Sequence, residues 1–273
     1  MGRVTGALRP LRPRIVATDL DGTIIRSDGT ISERTLAALV AVEAAGSAVV
    51  FVTGRPPRWM DKVAEVTGHH GLAICGNGAV VYDLRRERIV ETHAMDVATA
   101  RRVASLIKTE IPDVCFAVET ATGFAHEPAY PPLERDLSVV HDIAPIEDLL
   151  VRPVLKLLAR HTVSTPEEFL ARTRAAAGPY AEFTHSSKIA LVEISALGVS
   201  KATTLASFCA RHGVAADEVV AFGDMPNDLP MLTWAGLPYA VANAHPTVLE
   251  AVPNHTASND DDGVAQIVEK LFG

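Results

Sequence analysis

The chain has 273 residues, 48% of them hydrophobic, enough to bury one large core or two modest ones. A formal net charge of -8 and an aromatic content of 5% exclude a global basic field for nucleic acid or an anionic membrane, and a stacking surface for bases. An anionic ligand must therefore be held by local positive groups or by a metal.

Residues 1–14 carry Arg3, Arg9, Arg12 and Arg14 and no apolar core, which argues against a secretory signal. The expected location is the cytoplasm, with no membrane or nucleic-acid partner, as a monomer or small homo-oligomer. Cys75, Cys115 and Cys209 are widely spaced and lack CxxC pairing, so free thiols are expected.

The first strong element is the apolar run 15–18, which leads into Asp19-Leu20-Asp21-Gly22-Thr23. Side chains alternate along a strand, so Asp19 and Asp21 should share one side while Leu20 points to the core. Two carboxylates crowded at a buried strand end call for a cation or a proton. Ser32 is placed to cap a helix that ends at Gly46, and residues 48–52 form a β-branched strand ending in Thr53-Gly54-Arg55-Pro56-Pro57. Gly46 splits the long apolar run 36–52, whose single charge is Glu43, into helix and strand and removes the membrane reading. A helix over 58–67 and a strand over 72–75, ending in Gly76-Asn77-Gly78, complete a βαβ series that predicts a parallel sheet.

The pattern then changes. Residues 81–95 read as a hairpin, 96–110 as an amphipathic helix, 114–124 and 154–159 as strands, 165–177 as a helix opened by Thr-Pro-Glu-Glu, and 181–195 as alternating strands. This is α+β character inserted in an α/β domain. The α/β texture resumes with a helix over 200–212 and a strand over 218–222 ending in Gly223-Asp224-Met225-Pro226-Asn227-Asp228. A short helix over 229–235, a strand over 239–242 and a closing helix over 263–271 follow, joined by connections that include His245-Pro246 and Asn259-Asp260-Asp261-Asp262.

Strand ends thus carry Asp19 with Asp21, Thr53, and Asp224 with Asp228, and a helix start carries Lys201. Open α/β sheets build their sites at such ends. The set suits phosphoryl transfer: carboxylates can hold a metal, Lys adds positive charge, a hydroxyl and amides bind phosphate oxygens, and one free carboxylate can attack.

At these motifs the chain resembles haloacid dehalogenase superfamily phosphatases of the Cof type, with the large type IIB cap inserted after the third core strand. The resemblance runs from Ile15 to Leu271. It implies a Rossmann-like parallel-sheet core from residues 1–80 and 189–273, and an inserted α+β cap from 81–188. Asp19-Leu20-Asp21-Gly22-Thr23 matches the first motif, implying Asp19 as nucleophile and Asp21 as general acid and base. Thr53 in the second motif and Lys201 in the third would bind and stabilise the transferring phosphoryl group. Asp224 and Asp228 in the fourth would join Asp19 and the backbone carbonyl of Asp21 at Mg2+, although Asp228 could instead cap the next helix. Gly54, Arg55, Asn77 and Asn227 are further candidates for binding phosphate or substrate. Salt bridging explains Arg55 nearly as well, and turn chemistry explains the two asparagines.

Two departures from the family pattern stand out: Ala202 follows the motif lysine where Gly is usual, and Val241-Ala242-Asn243-Ala244 replaces Met-Gly-Asn-Ala. The ten His residues form no HxxxH or HxE cluster, so zinc is not expected. The implied activity is magnesium-dependent hydrolysis of small phosphorylated metabolites through an aspartyl phosphate. A phosphomutase of the same superfamily and an inactive ligand-binding regulator are the alternatives. Leaving-group selectivity is expected in the insert, with polar residues 184–188 contacting the substrate.

Overall fold

The computed structural model describes residues 12–68, 71–121, 123–132, 140–185 and 189–273. The first half of the chain supplies β1 (Ile15–Thr18), α1 (Glu33–Ala44), β2 (Ala48–Val52), α2 (Met60–Thr67), β3 (Leu72–Cys75), β4 (Val80–Asp83) and β5 (Arg88–Thr92). There follow α3 (Val97–Glu110), β6 (Cys115–Thr120), β7 (Gly123–His126), β8 (Val140–Ile143), α4 (Ile146–Leu149), β9 (Lys156–Arg160), α5 (Pro166–Ala177), β10 (Ala181–Thr184) and β11 (Leu191–Ala196). The chain closes with α6 (Lys201–Arg211), β12 (Val219–Gly223), α7 (Leu229–Trp234), β13 (Leu237–Val241), α8 (Pro246–Ala251), β14 (His255–Thr256) and α9 (Gly263–Phe272).

An eight-stranded sheet has the order β14-β13-β12-β1-β2-β3-β4-β5. All four residues of β1 are buried, as suits a strand covered on both faces, and it pairs in parallel with β12 and β2. The chain steps outward from β1 through β2 to β3, and later from β12 through β13 to β14 on the other side. The order therefore reverses between β1 and β12, and the crevice outside their carboxyl ends is where open α/β sheets take ligands. The expected Ser32 cap is present, with its side chain accepting from the Thr35 amide, and Thr165 and Ser200 cap α5 and α6.

A second sheet has the order β10-β11-β9-β6-β7-β8 and a separate apolar cluster built with α3 and α5. The α/β core with an inserted α+β cap is thus the architecture of the chain. The strands are divided between the sheets differently from the expected 81–188. The hairpin β4–β5 is present, but β4 pairs antiparallel with β3 and extends the first sheet, whereas β11 pairs with β9 and β10 in the second. The physical reason lies at Gly76-Asn77-Gly78. Gly78 has φ +107, and a Cβ there would lie 2.3 Å from the Ser200 carbonyl oxygen. The chain reverses tightly at this turn and stays bonded to β3, and it leaves the first sheet only after Thr92. The expected strand over 114–124 is two strands, β6 and β7, paired as a hairpin. No helix among the described residues is long and apolar enough to cross a membrane.

Candidate active site

Asp19 directly follows β1, and its amide donates to the Phe222 carbonyl of β12, which brings it beside Asp224 at the end of that strand. Asp19 is 5% exposed and Lys201 2%. The Lys201 ammonium donates to Asp19 Oδ1 at 2.5 Å and to Asp228 Oδ1 at 2.6 Å. Ser200, as the α6 N-cap, fixes the helix start that delivers Lys201. Asp19, Asp224 and Asp228 each offer an oxygen, all within 4.8 Å of one another.

Three buried carboxylates around one ammonium leave negative charge in excess. Burial, reinforced by neighbouring Asp228, pushes the Asp224 carboxyl up to about 7, against the opposing pull of Lys201. Burial also raises Asp19 well above the usual carboxylate range. Burial works against the charged Lys201, but Asp19 and Asp228 more than offset it and keep the ammonium charged. An oxygen-only donor set with surplus negative charge fits a hard divalent cation such as magnesium.

The surplus has a consequence for stability. An Asp in the unfolded chain titrates near about 3.9. Between about pH 4 and 7 the folded protein therefore keeps a proton on Asp224 that the unfolded chain has released, and stability falls as pH rises through that window. Asp28, Asp96 and Asp260 are held low, chiefly by hydrogen bonds from Thr30, Thr99 and Ser27, so their contributions change only at lower pH. In chelator, the melting temperature should drop by about 5 °C from pH 5 to pH 7.5, and magnesium should recover it at pH 7.5. A rise over the same interval would contradict the excess-charge account.

The remaining acids differ in exposure and partners. The Asp21 side chain is half exposed and lies outside the acidic cluster; Arg55 holds it with Nε to Oδ2 at 2.7 Å and Nη2 to Oδ1 at 2.5 Å. Leu20 is fully buried and Asp19 and Asp21 both line the cavity above them, as alternation predicts, but β1 stops at Thr18 and Gly22 turns the chain at φ +79, so Asp21 lies at the exposed edge. Both oxygens of Asp228 are engaged, Oδ1 by Lys201 and Oδ2 by the amides of Asp224 and Met225 at 3.1 and 3.0 Å. Asp228 thus organises Lys201 and the acidic loop, while it also offers an oxygen to the cluster with Asp19 and Asp224.

Above this floor lies a cavity of about 270 Å³ between the two sheets. Of the expected residues, Asp19, Asp21, Gly54, Arg55, Lys201 and Asn227 line it, but Thr53, Asn77, Asp224 and Asp228 do not. The Thr53 hydroxyl oxygen accepts from the Arg55 amide at 3.0 Å. Asn77, at φ 57, turns toward the second sheet: its Nδ2 bonds Glu193 and Thr184, and its Oδ1 accepts from Asn227. Thr184 is the one residue of the expected 184–188 contacts seen at this junction; residues 186–188 lie outside the described residues. Asn227 Oδ1 is buried and without a hydrogen-bond partner among the described residues, an acceptor turned to no protein donor beside the cavity.

The roof and walls contain residues that motif reading missed: Arg58, Trp59, Glu119, Phe124, Lys156 and Glu193. Arg58 pairs with Glu119 and lies over the rings of Trp59 and Phe124. Lys156 bonds Glu193 at 3.1 Å and the Gly54 carbonyl at 2.7 Å, tying the second sheet to the loop after β2. A signal for two of them is present in the sequence. Lys156 and Glu193 each interrupt an apolar strand, and a charge on a buried strand face needs a partner or a ligand.

The model of the haloacid dehalogenase-like hydrolase family matches residues 16–268. The chain is 26% identical to the 5-amino-6-(5-phospho-D-ribitylamino)uracil phosphatase YitU of Bacillus subtilis, over 96% of this chain and 98% of that one. It is 26% identical to the pyridoxal phosphate phosphatase YbhA of Escherichia coli, over 93% and 97%. Among solved structures, the phosphatase BT1666 of Bacteroides thetaiotaomicron shares the fold with a TM-score of 0.82 at 23% identity, covering 98% of this chain and 99% of that one. Four motifs in order, an acid pair at the switch point, an inserted second sheet and a family match over nearly the whole length agree, and the chain belongs to the haloacid dehalogenase-like hydrolases.

Proposed function

We propose that this protein hydrolyses phosphate monoesters of small metabolites through an aspartyl phosphate on Asp19. The observation that carries the reading is Asp19 itself: a buried carboxylate bonded to Lys201 on the floor of a cavity whose rim holds a second carboxylate, Asp21. Phosphoryl transfer needs an attacking group, charge stabilisation and a proton donor for the leaving oxygen.

Asp19 attacks phosphorus, and the bond to the ester oxygen breaks as Asp21 gives that oxygen a proton. Asp21 then takes a proton from water, whose oxygen attacks the aspartyl phosphate, releasing inorganic phosphate and restoring Asp19. Lys201 offsets charge on the phosphoryl oxygens, Asn227 and the backbone at Gly54 are suited to orient them, and Thr53 holds the loop behind them through the Arg55 amide. Arg55 keeps Asp21 at the rim between turnovers. Asp19 and Asp224 would hold magnesium, with Asp228 setting the loop behind them; the ion would neutralise phosphate charge so that an anionic nucleophile can approach.

The second sheet closes the cavity over the leaving group and excludes bulk water. Space of about 270 Å³ admits a single small metabolite and excludes a folded phosphoprotein. The relatives named for a ribitylaminouracil phosphate and for pyridoxal phosphate act on ligands of this class.

The test is phosphate release from p-nitrophenyl phosphate and from a panel of phosphorylated metabolites. Activity should require magnesium, vanish in excess chelator and return on adding the ion. Release from no ester would refute the reading, and full activity in chelator would refute the metal assignment.

A further inference from the structure

Asp21 reaches the rim of the cavity on a turn held from one side by the amides of Thr23, Ile24 and Ile25 on the Leu20 carbonyl and by Arg55 on the carboxylate itself. Gly22, at φ +79, packs so tightly on Asp224 that a Cβ there would lie 2.5 Å from Asp224 Oδ2. The strand has already ended at Thr18, so β-pairing within β1 does not fix the direction of the Asp21 carboxylate. A second set of contacts grips the main chain at Gly22 and Ile25, beyond Asp21.

The residues that do so come from the opposite end of the sequence. Asn243 Nδ2 donates to the Gly22 carbonyl at 2.8 Å, and Asn243 Oδ1 accepts from the Asn259 amide at 2.9 Å. Asn259 is 6% exposed, and its Nδ2 donates to the Ile25 carbonyl at 2.9 Å. The grip continues along the same segment. Asp260 accepts from the amide and hydroxyl of Ser27, both at 2.8 Å, and Asp262 accepts from Arg26 and from the Ser32 hydroxyl, both at 2.7 Å. The asparagine that stands in the altered Val241-Ala242-Asn243-Ala244 sequence, and the acidic run that reads as a mere connection, thus share one task. None of them lines the cavity.

We propose that Asn243 and Asn259 are positioning residues that hold the Asp21–Gly22 turn so that the Asp21 carboxylate stays within reach of the leaving-group oxygen. The proposal rests on the phosphomonoesterase reading. A general acid works only within hydrogen-bond distance of the atom it protonates, so a turn displaced by a fraction of an ångström costs rate at the step that needs the proton.

That dependence gives a readout that a general loss of structure would not produce. The p-nitrophenolate ion leaves without a proton, whereas an alkoxide does not. Because kcat/KM reads the steps up to formation of the aspartyl phosphate, it isolates leaving-group expulsion from the later attack of water. Asn243→Ala removes the donor to Gly22, and Asn243→Asp removes it while keeping an acceptor for the Asn259 amide. Each variant would be compared with wild type on p-nitrophenyl phosphate, on an aryl series of rising leaving-group pKa, and on whichever alkyl phosphate the wild type hydrolyses best. In both variants kcat/KM for the alkyl ester should fall about tenfold, at least fivefold more than for p-nitrophenyl phosphate, with the aryl esters ordered by leaving-group pKa. Equal losses on all esters, or no loss on any, would overturn the proposal. Wild-type protein that hydrolyses no ester would defeat the underlying phosphomonoesterase reading, and the proposal with it, an outcome that cannot be mistaken for equal losses in active variants.

Discussion

Replacing Asp19 by Asn is expected to lower turnover by at least about a thousandfold while leaving the metal-free protein as stable as wild type, or more so. The two effects have one origin. Asn keeps the size and shape of the side chain but carries no negative charge, so it neither attacks phosphorus nor forms the acyl phosphate. The same loss relieves the crowding of Asp19, Asp224 and Asp228, which burial makes unfavourable and which Lys201 only partly offsets. Lys201 keeps Asp228 as a partner at 2.6 Å, so its charge is not stranded. Steady-state phosphate release and melting in chelator at pH 7.5 check the two halves. Near wild-type turnover would remove Asp19 from the chemistry. A melting temperature well below wild type would mean that the Asp19–Lys201 pair stabilises the apo fold, contrary to the excess-charge account.

Lys201→Met should show the opposite stability effect with a comparable loss of activity. Methionine fills much of the same volume but removes the ammonium bonded to Asp19 and Asp228, leaving buried carboxylates without that counter-charge. Breaking a buried ion pair from one side typically costs about 3–5 kcal/mol. At this chain length that corresponds to roughly 10 °C in melting temperature. Removing a charge that stabilises the phosphoryl oxygens should cost about a hundredfold or more in turnover. Urea unfolding at pH 7.5 in chelator, alongside the phosphatase assay, measures both. A variant of unchanged stability would show that Lys201 does not compensate the acids. One with unchanged turnover would place it outside the reaction. Because Asp19→Asn and Lys201→Met differ in the sign of their stability effects, together they separate charge balance from general damage to the fold.

The parts of this architecture that depend on near neighbours are legible in the chain itself. Three apolar residues and Thr18, followed by Asp19-Leu20-Asp21-Gly22-Thr23, specify a buried strand and a tight turn. Ser32, Thr165 and Ser200 mark helix starts because each side chain satisfies an amide three residues on. Repeated strand and helix periods announce the parallel sheet, and the change of texture after residue 80 announces the insert. The nucleophile, the lysine and the acidic loop follow from motif resemblance.

What tertiary structure alone decided is which partner each group meets across long stretches of chain. The β4–β5 hairpin has a pattern that either sheet could accept, and only its pairing with β3 assigns it to the first. Strand alternation places Asp21 on the side of Asp19, and both line the cavity, but the contacts of Asp21 with Arg55 and of Gly22 with Asn243, which set Asp21 at the exposed rim, exist only in the fold. Asn77 and Glu193 meet across 116 residues, and Asp19 and Lys201 across 182. Composition and periodicity indicate an α/β chain with a carboxylate-rich site, and motif resemblance indicates a haloacid dehalogenase-like hydrolase. Which carboxylates crowd together, which are satisfied by amides and which face the leaving group depends on the fold, because Coulombic and hydrogen-bond energies are set by distances of a few ångströms that local sequence does not encode.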